Sequence, residues 1–329
     1  MKAMETTVLF RPSEISNLMA NPRGKSNLEK YTEMVDTREA KLQEYDDLKN
    51  KETKKAQAIL DRIEKLNKQI QDLEPMKDLP NLSEGTKTHL RKKMIEIRYK
   101  RYKDVESKQM TKGKVLEEKA IDLYSLIKGM VFENNKIRTK NEYYSGEIDL
   151  PWYTKKTMTA ISDIKNSWDV FTFWDNENSI KSANKWQGVA YMDLHPTVQE
   201  YHIANILLDN THDAILQELY RESYKWKDGE TPTWRELQII KSHTYTKSDF
   251  DNFINLRGCA PITDQDQEVY DSFIEIPMNE ERLIEHTFTR DEVEQDILDA
   301  RKRMDECRLY LEMIYNIKHI PADAETGEK

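Results

Sequence analysis

Two short segments in the middle of the chain place acidic residues on what the sequence pattern predicts to be neighbouring β-strands. The first segment contains Asp149, and the second is residues 161–167, with Asp163 and Lys165. Side chains two residues apart on a strand lie on the same face of a sheet, so Asp163 and Lys165 should point together while Ile164 points into a core. Two carboxylates and a lysine in this arrangement are suited to hold a hard divalent cation against a phosphodiester.

The composition limits what can surround these strands. Charged residues make up 34% of the 329 residues and there are only 9 glycines, so much of the chain should be long solvated helix rather than a compact β-fold. The sequence has no run of about 18 apolar residues and no basic-then-apolar N-terminus, and we therefore expect a soluble, intracellular protein. The net charge of -9 argues against a uniformly positive nucleic-acid-binding surface.

Heptad spacing predicts long helices towards both ends of the chain. Within residues 27–74, the apolar residues that alternate spacings of three and four are Ala56, Ile59, Ile63, Leu66, Ile70 and Leu73. The same spacing recurs near the C-terminus at Val293, Ile297, Ala300, Met304, Cys307, Leu311 and Ile314. Such seams usually pack against another helix, and the partner is either the other seam or a different chain.

Between these helices the pattern mixes helices and strands, which indicates an α/β or α+β fold. Ser13 and Ser83 are predicted to cap helices, and a glycine, Gly113, is predicted to begin a helix that ends near Gly129. A further helix is expected over residues 183–194. Strands are expected at residues 143–150, 157–165 and 201–208, with a turn through residues 151–154 joining the first two.

Phosphodiester hydrolysis needs an activated water and stabilisation of the charge that develops on the phosphoryl oxygens. One or two Mg²⁺ or Mn²⁺ ions supply both when carboxylates hold them with positions left open. The candidate ligands are Asp149, Asp163, the carbonyl of Ile164, and Glu117 from the preceding helix, while Lys165 would orient the water or stabilise the transition state. An Asp-x-Lys triplet alone is more often a solvated ion pair that contributes little.

The order of further motifs favours the functional interpretation, and that order resembles the PD-(D/E)XK nucleases. It is most similar to the phage recombination exonucleases of the YqaJ and lambda exonuclease group. Residues 112–117 resemble the Gly-x-x-x-Glu helix of this group, and residues 186–191 resemble the Gln-x-x-x-Tyr motif of the wider RecB-like set. Residues 11–19 are similar to the serine-containing helix start that precedes the nuclease core.

The resemblance implies an α/β fold with a PD-(D/E)XK nuclease core, a small mixed β-sheet flanked by helices, and extended coiled-coil-like helical arms. The expected divisions are residues 1–26 as the N-terminal segment of the core, 27–80 as a helical insertion, 81–289 as the core with a basic helix and a C-terminal elaboration, 290–320 as a heptad helix, and 321–329 as a tail.

The resemblance also implies a metal-dependent exonuclease that digests one strand of linear duplex DNA, typically from the 5′ end, in phage-type recombination or DNA repair. By motif match, the metal ligands would be Glu117, Asp149 and Asp163, with Lys165 as the catalytic lysine and Gln187 and Tyr191 beside it. The implied partners are double-stranded DNA ends, a single-strand annealing protein and further copies of the chain. The implied location is the cytoplasm of a bacterial host.

Some features depart from the family pattern and leave alternatives open. Asp163 stands where the family often has Glu, and the four-cysteine iron–sulfur cluster of some RecB-like nucleases is absent because the chain has two cysteines. Glu118 adjoins Glu117, and Glu147 lies two residues before Asp149, so either could be the true ligand. Alternative functions are a structure-specific endonuclease on the same core and a non-catalytic coiled-coil protein with a decayed core.

Local basic residues are the candidates for DNA contact. The run from residue 91 to residue 114 is rich in Lys and Arg, and such a run can follow a phosphate backbone or simply be a solvated helix face. We take the following as candidate DNA-binding residues: Arg11, Ser13, Lys112, Lys114 and Ser167.

Overall fold

The computed structural model describes residues 4–103, 107–226 and 231–321. Within these residues the fold is α/β, with twelve α-helices and small mixed sheets, which confirms the expected fold class. The chain divides into two compact units. One contains the described residues up to 10, from 14 to 102 and from 298 onward, and the other contains residues 11–13 and 103–297. None of the described helices is both long enough and apolar enough to cross a membrane.

The first unit is mostly helical, with one two-stranded parallel sheet formed by β1 and β8. Its elements are β1 (Met4–Thr6), α1 (Ile15–Leu18), α2 (Asn27–Asp46), α3 (Lys54–Leu73), α4 (Glu84–Tyr99), the end of α12 (Arg290–Tyr315) and β8 (Ile317–His319). Ser83 caps α4 by accepting the Thr86 N–H, as expected from the sequence. Helix α4 is the basic helix expected from the sequence, and it ends at Tyr99, so Arg101 and Lys103 lie beyond it.

The charged segment 27–74 forms two helices rather than one. Residues 47–53 separate α2 from α3, and the two helices pack against each other. A capping box at Ser26 and Glu29 begins α2, and Thr53 caps α3. The seam on α3 is buried at Ala56, Ile59, Ile63, Leu66 and Ile70.

The expectation that Ser13 caps a helix is wrong. Pro12–Glu14 form a 3-10 turn, and α1 begins only after it, with Glu14 at the N-cap position and no side-chain cap. Pro12 fixes its own φ in the helical range and starts the turn one residue earlier. Ser13 therefore lies inside the turn, whereas a capping serine needs extended backbone.

The second unit contains the main sheet. Its elements are α5 (Lys108–Lys128), β2 (Arg138–Lys140), β3 (Ser145–Glu147), β4 (Leu150–Thr154), β5 (Thr157–Asn166), α6 (Val170–Trp174), α7 (Ser182–Leu194), β6 (Glu200–Ile206), α8 (His212–Ser223), α9 (Thr233–His243), α10 (Lys247–Arg257), α11 (Asp264–Asp271), β7 (Leu283–Thr289) and the start of α12. The sheet order is β4-β5-β6-β7, with β5 and β6 parallel and the other pairs antiparallel. The sequence analysis did not identify β7.

Helices cover both faces of this sheet. On one face, α5 packs through Leu116, Ala120 and Tyr124 against a core that includes Ala204 and Ile206 of β6. On the other face, α7 lies so close that Gly188 meets the rings of Tyr201 and Phe288. A separate apolar cluster holds α8, α9 and α10 together, in a region that the sequence left unassigned.

The turn expected at residues 151–154 is instead strand β4. The chain turns at Lys155, which has φ of 59°, and at Lys156. Pro151 is compatible with a strand here because β4 is at the edge of the sheet, where a missing N–H is tolerated. Trp152 is held by its indole N–H, which donates to Ser162 Oγ at 2.7 Å.

The start of α5 also differs from expectation. Ser107 caps the helix and Lys108 is its first residue, so Gly113 lies inside the helix rather than at its start. The end of α5 at Gly129, which adopts left-handed backbone with φ of 62°, agrees with the sequence analysis.

We expect Gly188→Ala to destabilise the protein by about 1–3 kcal/mol, because an added methyl group overpacks a filled core. A Cβ at this position would lie 2.5 Å from Phe288 Cζ and 2.6 Å from Tyr201 Cδ1. Urea denaturation would measure the change. Gly113→Ala is the matched control, since its Cβ meets nothing within 4 Å, and it should stabilise α5 by up to about 1 kcal/mol. Equal stability of the two variants would contradict this packing.

Candidate active site

One edge of strand β5 is left uncovered where the neighbouring strand begins late. Leu150 of β4 pairs with Ser162, and the pairing runs away from there to Thr154 and Thr157. On the other side, β5 stays paired with β6 through Asn166, which lies opposite Ile206. Residues 163–166 therefore have backbone groups on the β4 side that no strand pairs with.

Asp149 occupies this open edge. Its Oδ2 accepts a hydrogen bond from the Ile164 N–H at 3.0 Å, in the place where a strand carbonyl would otherwise be. The N–H and C=O of one strand residue point to the same edge, so the Ile164 carbonyl also faces the side on which Asp149 lies. The structure thus brings two of the expected metal ligands to one edge.

Asp163 and Lys165 share a face of β5, as their spacing implies. Lys165 Nζ lies 2.9 Å from Asp163 Oδ1 and 2.7 Å from Oδ2. The same ammonium donates to Gln187 Oε1 of α7 at 3.2 Å. Ile164 points to the opposite face and packs against the α5 core. The lysine is therefore held by an acid from its own strand and an amide from the helix above.

The charges in this group strongly affect one another. Burial, and then the negative charge of Asp163, raise the pKa of Asp149 well above its usual value, although Lys165 and the Ile164 N–H oppose the shift. Burial lowers the pKa of Lys165, but Asp163 and Asp149 more than offset it, so the pKa lies above the ordinary lysine value. The lysine is thus held protonated, whereas the negative charge of Asp149 is disfavoured at this position.

A cleft of about 450 Å³ opens along this edge. It is lined by Met110, Gly113, Lys114, Glu117, Ile121, Asp149, Ile164, Lys165 and Asn166. Glu117 of α5 thus faces the same space as Asp149, and its Oε1 accepts from Asn134 Nδ2 at 2.8 Å. Glu118 does not line the cleft, and Glu147 pairs with Arg138 at 2.9 Å. This placement favours Glu117 and Asp149 over their neighbours.

Tyr191 supports the segment that carries Asp149. Its hydroxyl donates to the Glu147 carbonyl, and its ring stacks on Tyr201 with centroids 6.3 Å apart. Burial, followed by the charges of Asp149 and Asp163, raises the pKa of Tyr191, so its hydroxyl keeps its proton. With Gln187 on Lys165, both members of the Gln-x-x-x-Tyr pair contact the group around Asp149 and Asp163.

The donors at this edge fit a hard divalent cation. The buried carboxylate of Asp163, the partly buried carboxylate of Asp149 and a backbone carbonyl are oxygen ligands of the type that Mg²⁺ takes, and Mg²⁺ often binds proteins through only one or two carboxylates. The raised pKa of Asp149 shows that the carboxylates would gain from added positive charge. Among the described residues, no three His, Cys, Asp or Glu side chains converge as a closed metal site, and Glu117 instead faces the cleft.

The candidate DNA-binding residues occupy different environments. Lys114 is exposed on the rim of the cleft, and Arg11 and Ser13 are also exposed. Lys112 and Ser167, in contrast, are buried, with 2% and 7% exposure. The expectation that these two side chains contact DNA is wrong, because both are buried. In Lys112 the ammonium donates to backbone carbonyls instead.

The sequence analysis missed Asn166, which lines the cleft directly after Lys165. Its Oδ1 is buried and has no hydrogen-bond partner among the described residues. The signal available in the sequence was its position directly after Lys165, at the end of the predicted strand. The contribution of Asn134, which holds Glu117, had no signal in the sequence because residues 131–137 form neither helix nor strand.

Comparison with known proteins gives structural rather than sequence likeness. No protein-family model matches the chain, and no curated protein matches it. The chain is similar to a solved phage-related exonuclease from Haemophilus somnus 129PT, with 15% identity, coverage of 94% of this chain and 96% of that one, and a TM-score of 0.53. It also aligns with an alkaline exonuclease from Laribacter hongkongensis, with 10% identity, coverage of 71% and 84%, and a TM-score of 0.40.

The chain has the fold of the phage-related exonuclease. At the level of the fold, this likeness agrees with the resemblance to phage-type exonucleases that the motifs indicated. The uncovered edge of β5 lies in the main sheet of this nuclease-like fold.

We expect Asp149→Asn to raise the free energy of unfolding at pH 7.5 in EDTA by roughly 1 kcal/mol, as at other sites where function strains the fold. The sign follows from the raised pKa: the folded state disfavours the charged carboxylate, and asparagine removes that charge while keeping an acceptor for the Ile164 N–H. Urea denaturation would measure it. Asp122→Asn, at an exposed position of α5, should change little, and a destabilised Asp149→Asn would contradict the inferred charge excess.

Proposed function

We propose that the protein is a Mg²⁺- or Mn²⁺-dependent deoxyribonuclease that hydrolyses linear double-stranded DNA from its ends, with 5′ to 3′ polarity, in phage-type recombination or DNA repair. One observation carries the proposal: Asp149, Asp163 and Lys165 meet at the uncovered edge of β5, beside an open cleft. The fold shared with a phage-related exonuclease supports an end-dependent reaction.

In the proposed mechanism, Asp149, Asp163 and the Ile164 carbonyl would hold the cation, and Glu117 would complete the ligand set from across the cleft. When bound, the cation lowers the pKa of a water and stabilises the charge on the phosphoryl oxygens. Glu117 keeps its orientation towards the cleft through Asn134.

Lys165 provides a fixed positive charge next to the reacting phosphate. Its contacts with Asp163 and Gln187 set its direction, and its raised pKa keeps it protonated. A positioned ammonium stabilises the transition state more than the ground state because negative charge increases on the phosphoryl oxygens during the attack. Tyr191 holds the backbone before Asp149, so that this carboxylate keeps its position during turnover.

The cleavage assay tests this proposal. The purified protein with Mg²⁺ should degrade linear duplex DNA and leave closed circular DNA intact, and EDTA should stop the reaction. Asp163→Ala and Lys165→Ala should each lower the rate by at least about 100-fold, because the first removes a proposed ligand of the cation and the second removes the positive charge that stabilises the transition state. Lys156→Ala, in the exposed turn between β4 and β5, is the matched control and should keep full activity.

The outcomes separate the alternatives. Cutting of closed circles would show a structure-specific endonuclease instead of an exonuclease. No metal-dependent cleavage of any DNA would contradict the nuclease proposal altogether. Release of label from a 5′-labelled strand before a 3′-labelled one would establish the polarity.

We further expect Lys114, on the cleft rim, to bind a DNA phosphate. Lys114→Met should raise the KM for DNA and reduce the slope of log affinity against log salt by roughly 1, since one phosphate contact releases about one counterion. Fluorescence anisotropy with labelled duplex at several NaCl concentrations would measure the slope. An unchanged slope would place the phosphate path elsewhere.

A further inference from the structure

Lys112 is a buried lysine whose environment is built for an ammonium group. Its side chain is 2% exposed, and Nζ donates to three backbone carbonyls: Ser167 at 2.7 Å, Trp168 at 3.0 Å and Leu208 at 3.0 Å. A lysine ammonium has three protons to donate and accepts nothing, so three carbonyls satisfy it completely.

The three carbonyls belong to the ends of the two central parallel strands. Ser167 and Trp168 follow β5 directly, and Leu208 comes two residues after the end of β6. Lys112 itself lies in the second turn of α5, one helical turn before Leu116, which packs on the sheet. The lysine therefore joins α5 to the strand that carries Asp163 and Lys165 and to its parallel neighbour.

Other polar groups around Lys112 hold the same backbone. Asn210 Nδ2 donates to the Trp168 carbonyl at 3.0 Å and lies 2.7 Å from His243 Nδ1. Asp209, which pairs with the fully buried Arg282 at 2.8 Å, and Asp169 contribute negative charge. Burial nevertheless lowers the pKa of Lys112 to about 7, against the effect of those two acids.

A buried charge of this kind is costly, and an apolar residue would often serve stability as well or better. The apolar contacts between α5 and the sheet are non-directional, so they allow small shifts of the helix along its axis. Hydrogen bonds from one ammonium to three fixed carbonyls oppose such shifts. The position of α5 matters because Glu117 faces the cleft from this helix, while Asp149 faces it from the sheet.

We propose that Lys112 is a positioning residue that fixes Glu117 relative to Asp149 and Asp163, and thereby sets the affinity of the site for its divalent cation. The proposal rests on the proposed nuclease function and extends it to a residue that touches neither the cation nor DNA. Lys112 would act through the backbone segments that it joins rather than through a hydrogen bond to a proposed ligand.

The test compares Lys112→Met with wild type and with Lys119→Met, an exposed lysine on the same helix. Circular dichroism would first establish a temperature at which all three are folded. Isothermal titration with Mn²⁺, without DNA, should show an affinity about 10- to 100-fold weaker for Lys112→Met, the range seen when a partner of a metal ligand is removed. The kcat at limiting Mn²⁺ should fall, whereas the KM for DNA should not change.

Each outcome decides between roles. A folded Lys112→Met with wild-type Mn²⁺ affinity would overturn the proposal, and so would a change confined to the KM for DNA, which would indicate direct DNA contact. If Lys112→Met does not fold, Lys112→Gln takes its place, because its amide keeps donors for at most two of the three carbonyls, and a wild-type Mn²⁺ affinity in that variant would overturn the proposal. A wild-type protein that binds no Mn²⁺ and cleaves no DNA would contradict the proposed function itself.

Discussion

The chemistry at the candidate site depends on an unequal pairing of strands, since β5 runs four residues past the point where β4 begins. An uncovered strand edge normally needs protection, because its N–H and C=O groups are free to pair with other chains. Here the protection comes from a side chain: Asp149 accepts the Ile164 N–H. One carboxylate thus satisfies the backbone and becomes part of a charged cleft at the same time.

This arrangement concentrates negative charge in a place that the surrounding fold must stabilise. Burial and the charge of Asp163 raise the pKa of Asp149, and Lys165 offsets only part of that shift. The compensating stability comes from the two faces of the sheet, where α5 packs its apolar residues on one side and α7 packs Gly188 against aromatic rings on the other. A cation would relieve the remaining charge, which links binding to stability.

The sequence predicted those parts that depend on local pattern. The i, i+2 spacing of Asp163 and Lys165 and the end of α5 at Gly129 agree with the structure. The turn at Pro151 was wrong because proline signals a turn locally, and only the sheet order shows that β4 is an edge strand. The prediction that Lys112 contacts DNA was wrong for a related reason. A lysine in a basic run is usually solvated, and the three carbonyls that Lys112 binds are at least 55 residues away in the sequence.

The difference between local sequence pattern and tertiary contacts also explains why Glu117 was the hardest of the three acids to assign from the sequence. Asp163 is placed by strand register, and Asp149 directly precedes β4 and accepts the Ile164 N–H. Glu117, in contrast, lies on a helix that shares no backbone hydrogen bonds with the sheet in the described residues. Between Glu117 and Glu118 the helix rotates by about 100°, and only Glu117 faces the cleft. Side-chain contacts alone fix the orientation of α5 about its axis and its distance from β5. Of the three proposed ligands, Glu117 is therefore the one least determined by backbone pairing, and under the proposal for Lys112 it is the one whose position depends on that lysine.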